Sequence, residues 1–261
     1  MYQALISIFI FLFGATVGSF LNSVIYRLNS KESFIKGRSY CPSCKHKLSF
    51  FDLIPIFSFI FLLGKCRYCR KKISLQYPLV ELFTGLVFIL IFFKFPLSHI
   101  FSIVFYLIVS SFLIVIFVYD LKHYLILDKV IYPLIALNIL YNLLFMEQGV
   151  FINSLVSALG SFLFFLLIFL ISKGSWMGFG DVKLAFFIGL FLGYPNTVVA
   201  LFLSFFIGAI IGLGLIILRK KTMKSEIPFG PFLVLSTFIS LFFGAEIIGW
   251  YFNSIVGINI R

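Results

Sequence analysis

Gly178-Phe179-Gly180-Asp181-Val182-Lys183 sets an aspartate in a glycine-rich break between two stretches as apolar as membrane helices. An ionisable side chain at membrane depth is costly, so an acid held there points to function. A second aspartate, Asp120, closes another apolar stretch. The composition fits a membrane setting. Of 261 residues, 62% are hydrophobic, only 11% are charged and 38 are Phe, and the mean hydropathy is +1.14. A soluble domain lies nearer half apolar and a quarter charged, so the chain reads as an all-α polytopic membrane protein.

Runs long enough to span a bilayer need about 20 apolar residues. They fall near 3–26, 78–97, 100–119, 130–146, 152–172, 183–194, 197–218 and 228–250, about eight transmembrane helices. The fourth and sixth are short, fitting tilted or partly re-entrant segments. Phe95-Pro96 and Tyr194-Pro195-Asn196 mark turns between neighbours. The first run has no basic residue ahead of it and outlasts a signal-peptide core, so it reads as a retained span.

Placing the segment after the first span in the cytoplasm makes 27–77, 120–129, 173–183 and 219–227 interior. These hold 19 of the 21 Lys and Arg residues, leaving Lys94 and Arg261 outside. That is the positive-inside pattern. The net charge of +12 therefore reports orientation, and no nucleic-acid partner is expected. Asp120 and Asp181 then share the cytoplasmic edge. Three parts follow: a first helix over 1–26, a polar cytoplasmic insertion over 27–77, and a membrane domain over 78–261. No internal repeat stands out.

The insertion carries Cys41-Pro42-Ser43-Cys44 and Cys66-Arg67-Tyr68-Cys69, two C-x2-C knuckles 21 residues apart. Such pairs complete a tetrahedral thiolate site for Zn²⁺, and nearby cations offset its negative charge. Disulfides fit a reducing cytoplasm poorly. No ligand position looks open, so the metal's expected role is structural: about 50 residues make too small a core to fold well unaided.

The chain resembles the bacterial type IV prepilin leader peptidases, polytopic GxGD-type aspartic proteases that also N-methylate their product. The resemblance runs through Gly18-Ser19-Phe20-Leu21-Asn22 with Tyr26-Arg27, the two knuckles with Gly64-Lys65, and Pro78-Leu79-Val80-Glu81-Leu82. It continues through Asp120-Leu121 with Asp128 and Pro133, Gly178 to Leu184, and Ile227-Pro228-Phe229-Gly230-Pro231. Lys122 and Leu127 depart from it, standing where relatives often carry an acid and a proline.

The resemblance implies Asp120 and Asp181 as catalytic residues, with Gly178, Gly180 and Lys183 in the active-site loop. Two facing aspartates hydrolyse a peptide when one is ionised and the other protonated. Gly178 and Gly180 are expected to take backbone conformations closed to other residues and to admit a substrate strand. The side chain of Lys183 is read as able to turn towards the acids. Asp128 reads as a loop acid or the N-cap of the fourth helix. The resemblance further implies prepilin or pseudopilin substrates, S-adenosylmethionine as methyl donor, and a place in the bacterial inner membrane. It assigns methyl transfer to residues 18–81, with Gly18, Asn22, Arg27, Gly64 and Glu81 as candidates. Four have a plainer reading: Gly18 as a helix-packing glycine, Asn22 as a hydrogen-bonding residue, Arg27 as a positive-inside anchor, and Glu81 as the partner of a loop cation. A proton-relaying transporter, a non-catalytic scaffold and a peptidase without methylation are the competing functions.

Overall fold

The computed structural model describes residues 2–29, 39–219 and 226–256. Of the 21 Lys and Arg residues, Lys31, Lys36, Arg38, Lys220, Lys221, Lys224 and Arg261 lie outside them. The described residues form nine α-helices: α1 Tyr2–Asn29, α2 Phe57–Phe61, α3 Gln76–Lys94, α4 Ile100–His123, α5 Asp128–Phe145, α6 Gln148–Ile171, α7 Phe179–Leu192, α8 Asn196–Ile217 and α9 Gly230–Tyr251. All eight expected spans are helices, and α2 is an extra turn inside the insertion. Seven of them, all but α2 and α7, are long and apolar enough to cross a membrane, so the chain is a multi-pass membrane protein. The exception among the expected spans, α7, has 14 residues, about 21 Å at 1.5 Å per residue, short of a hydrocarbon core about 30 Å thick. Pro96 and Pro195 sit at the predicted turns, as N-caps of a short 3-10 turn and of α8.

The chain divides into two compact units, Met1–Val115 and Ile116–Arg261, with the boundary inside α4. In the first unit α1 lies against α3 through glycine. A Cβ on Gly14 would come within 2.8 Å of the Gly85 Cα, and one on Gly18 within 2.8 Å of the Glu81 Cα. Lipid tails are as apolar as leucine, so such close approach, with its dispersion contacts, replaces hydrophobic driving force between membrane helices. Thr84, fully buried in the same seam, returns its hydroxyl to the Val80 carbonyl.

In the second unit α7 is enclosed. Val182, Leu184, Ala185, Phe187, Ile188 and Leu190 are all fully buried, as befits a helix apolar all round. A Cβ on Gly189 would sit 2.5 Å from the Ala158 Cα on α6, and Ser161 Oγ donates to the Ala185 carbonyl at 2.9 Å. From α5, Asn142 Nδ2 donates to the Leu190 carbonyl at 3.3 Å. Protein surrounds α7, so its length need not match the bilayer.

Candidate active site and thiolate centre

Asp120 stands in the last turn of α4 and Asp181 in the first turn of α7; both are buried. Asp120 receives a hydrogen bond from the Gly230 N–H, at the start of α9. That helix end offers free N–H groups and the positive pole of the helix dipole. It compensates for an acid placed at the electronegative end of α4. Asp181 receives the Gly178 N–H, and the Asp120 carboxyl acts on it electrostatically. Two buried acids on separate helices thus act on one another electrostatically.

Ile126, buried between α4 and α5, closes the site from behind. A Cβ on Gly180 would lie 2.9 Å from the Ile126 Cβ. One on Gly230 would lie 3.2 Å from the Ile126 Cδ1 and 2.5 Å from Asp120 Oδ2. Gly230 therefore belongs to the site, although the sequence reading quoted it only within a motif. The signal available was Gly-Pro opening an apolar helix.

The expected reason for the loop glycines needs correction. Gly178 has φ −76° and ψ 153°, ordinary extended backbone, and Gly180 does not have a positive φ. Neither needs a conformation closed to other residues. What Gly180 needs is room, because Ile126 leaves none for a Cβ. A Cβ on Gly178 would meet only Asp181 Oδ2, at 3.9 Å, and the Gly180 nitrogen.

Lys183 turns away from the acids. Its Nζ lies 2.5 Å from Asp128 Oδ1 and over the rings of Tyr132 and Phe179, at 4.9 and 5.2 Å. Asp128 is accordingly neither a free loop acid nor the N-cap. Leu127 holds the cap position, and Asp128 is the first residue of α5, paired with α7.

The methyl-transfer candidates gather in the first unit. Asn22 Nδ2 donates to the Tyr77 carbonyl at 3.1 Å, and Gln76 Nε2 donates to Asn22 Oδ1 at 3.1 Å. Glu81 is buried and binds the insertion's backbone: Oε2 accepts the Ile56 N–H at 2.7 Å, and Ser19 also bonds it. Arg27 is buried near the end of α1. Gly64, with φ +67°, ends α2 in the left-handed region; its N–H bonds the Phe59 carbonyl at 2.9 Å, and the Phe59 ring lies beneath it. A Cβ is strained there.

The four cysteines converge. Their sulfurs all lie within 4.8 Å of one another, with Cys41 and Cys69 at 3.9 Å. A tetrahedral site with about 2.3 Å metal–sulfur bonds puts its sulfurs about 3.8 Å apart, so the donor set fits a thiolate-bound ion. All four are free thiols. Burial opposes the Cys41 thiolate, yet the N–H groups of Cys44 and Ser43 and the neighbouring thiols hold it at about 7. The Lys71 N–H favours the Cys69 thiolate, but burial and the three other thiols push it up to about 11. Four sulfurs so close cannot all ionise without a cation among them.

The knuckles are also built alike, a repeat the sequence reading missed. Cys41 N–H bonds the His46 carbonyl and Cys66 N–H the Lys71 carbonyl. The residue after each pair, Lys45 or Arg70, has φ near +58° (57° and 59°). Bridges between Tyr40 and Lys47 and between Lys65 and Lys72 close the two turns. Asp52 fastens the insertion. Burial works against its charge, but Ser49 and Arg67, the latter at 2.7 Å, hold its carboxyl below the usual range.

Comparison with known proteins adds independent evidence. Residues 12–95 match the bacterial Peptidase A24 N-terminal domain, and residues 107–213 match the type IV leader peptidase family. The prepilin leader peptidase/N-methyltransferase of Aeromonas salmonicida (strain A449) is 31% identical, covering 95% of this chain and 94% of that protein. The protein of the same name from Bacillus subtilis (strain 168) is 32% identical, covering 95% and 98%. That from Legionella pneumophila is 31% identical, covering 92% of each. No solved structure matches the chain. With paired acids at helix ends, a four-thiol insertion and whole-length similarity to these proteins, the chain belongs to the type IV leader peptidase family.

Proposed function

We propose that this chain is a membrane aspartic endopeptidase that removes the short basic leader of type IV prepilins or pseudopilins and methylates the new N-terminal residue. It works at the cytoplasmic side of the bacterial inner membrane. The membrane domain over 78–261 cleaves, and residues 18–81, including the four-cysteine insertion, serve methyl transfer. The observation that carries the peptidase reading is that Asp120 and Asp181, both buried and carried on different helices, act on one another electrostatically.

Like charges in a water-poor site do not both ionise, so the pair holds one proton between two carboxyls. The ionised member takes a proton from water, which attacks the scissile carbonyl. The protonated member donates to that carbonyl oxygen and then serves the departing amine. The protons belong to the pair. Lys183, held by Asp128, orients the first turns of α7 without neutralising the dyad.

Cys41, Cys44, Cys66 and Cys69 would hold a Zn²⁺ ion that clamps the two knuckles together, and with four protein ligands it would serve structure and leave catalysis to the acids. S-adenosylmethionine, when bound, supplies an electrophilic methyl group. Asn22, Gln76 and Glu81 are the residues that would hold it, beside Gly18. Gln76 Oε1 is buried with no hydrogen-bond partner among the described residues, as fits a group awaiting a ligand. The acceptor amine has to be neutral to attack.

The test reconstitutes the full chain with a prepilin-like peptide and follows product mass. Asp120→Asn and Asp181→Asn each abolish cleavage while a pre-cleaved peptide is still methylated. Cleavage retained in either variant ends the dyad reading. Absence of methylation by the wild type leaves a peptidase alone.

A further inference from the structure

The insertion carries a strip of apolar side chains that its own fold does not cover. Phe50, Phe51, Phe57, Ile60, Phe61 and Leu63 are 51–84% exposed, over a stretch of only 14 residues. A monomeric soluble module of this size rarely exposes so much contiguous apolar surface. Exposure alone does not say what covers the strip, but two further features do.

The first is depth. Ile56, in the middle of the strip, donates its N–H to Glu81 Oε2. Glu81 lies five residues beyond Gln76, the first residue of the membrane helix α3, about 7 Å along the helix axis. The strip is therefore held beside the first turns of a spanning helix, not out in the cytoplasm. Leu75 and Leu79, on that same end of α3, are exposed as well.

The second is charge. Lys45, Lys47, Lys65, Arg67, Arg70, Lys71 and Lys72, in the knuckles on either side of the strip, are all exposed. Aromatic and aliphatic side chains flanked by Lys and Arg are the composition of a segment that lies in the headgroup region of an anionic leaflet.

We propose that residues 50–63 form an interfacial membrane anchor, which seats the four-cysteine insertion on the bilayer with its aromatic strip among the upper acyl chains. Glu81 ties the anchor to α3 through the Ile56 N–H, and the knuckles face the headgroups. The insertion is then a lipid-docked platform at the level of the membrane edge. This rests on the membrane reading and is independent of which substrate the chain processes.

The test places a single tryptophan at Phe61 in the full-length chain, with Trp176→Phe and Trp250→Phe, in phosphatidylcholine–phosphatidylglycerol nanodiscs. Leu63→Trp is the second probe, should Phe61→Trp impair folding, and Lys47→Trp reports the knuckle. Brominated acyl chains are expected to remove most emission from the tryptophan at 61, and aqueous iodide little. At 47 iodide is the effective quencher. Iodide quenching without bromolipid quenching at 61 and 63 overturns the anchor. Protection from both quenchers also overturns it, because the strip is then covered by protein, such as a second copy of the chain.

Discussion

Replacing Gly230 with alanine isolates what the α9 start does for the dyad. The added Cβ would stand 2.5 Å from Asp120 Oδ2 and 3.2 Å from its Cγ. Real Cβ atoms essentially never approach closer than 3.0 Å, and ordinary contact begins at 3.4 Å. The carboxylate must retreat by about 0.5–0.9 Å, away from the helix end whose N–H it accepts. The atom that moves is the tip of a side chain, and alanine suits a helix better than glycine. The fold therefore survives.

Catalysis does not tolerate the same shift. Misplacing a reacting group by about 1 Å can cost about 100-fold, or about 2.7 kcal/mol of barrier. Gly230→Ala is expected to lower the cleavage rate of a prepilin-like peptide about 100-fold, with methylation of a pre-cleaved peptide unchanged. Gly178→Ala supplies the contrast. Its Cβ meets Asp181 Oδ2 at an ordinary 3.9 Å, so cleavage stays close to that of the parent. Wild-type cleavage by Gly230→Ala refutes the steric argument, as does equal loss in the two alanine variants.

Three other outcomes follow from the same geometry. Gly189→Val forces α6 and α7 apart where even a Cβ would reach 2.5 Å from the Ala158 Cα; overpacking of this kind costs about 1–3 kcal/mol or more, and thermal unfolding in detergent should show a clear fall in Tm. Glu81→Gln keeps an oxygen acceptor for the Ile56 N–H, so methylation survives if Glu81 only anchors the loop and is lost if its charge serves the reaction, while Glu81→Ala loses methylation either way. Lys183→Ala removes a pair whose Asp128 side chain is 58% exposed; such pairs contribute about 0–1 kcal/mol, so stability barely changes, and any loss of cleavage measured with normal KM reflects a misplaced α7 turn.

The seven long helices were legible because apolar runs of about twenty residues in a chain with so few charges have few alternatives. The turns at Pro96 and Pro195 were legible because proline breaks off a run of helix. The shared position of Asp120 and Asp181 came from charge bias, a signal about sides of a membrane that carries no distances. What stayed hidden was local packing. Ile126 reads as one more aliphatic residue, and nothing in its neighbours shows that it fills the space behind two glycines. Lys183 has Asp181 beside it along the chain, and only the approach of α5 to α7 brings it Asp128, 55 residues away. The Glu81 partner was equally hidden, since a backbone N–H at Ile56 has no signature in side-chain chemistry. The matched knuckles escaped because their likeness lies in hydrogen bonds and φ angles, whereas the residues around the cysteines differ.

Both polar centres use one device suited to a membrane. In water a buried carboxyl can be positioned by many neighbours, because burial of apolar surface holds those neighbours in place. Between membrane helices that driving force is missing. Here each acid stands against a glycine: the Glu81 backbone comes close to Gly18, and the Asp120 carboxyl reaches into the space that Gly230 leaves open. Each also receives a backbone N–H from a segment that is not its own helix, Ile56 for Glu81 and Gly230 for Asp120. The contact fixes the helix, and the N–H fixes the carboxyl. Such a site depends less on long side chains finding partners in lipid than on backbones that cannot separate without leaving a polar group unpaired, which costs several kcal/mol in hydrocarbon. That explains why the residues surrounding the acids are so plain, and why glycine substitutions should be more damaging to chemistry here than loss of the nearby Lys183–Asp128 pair.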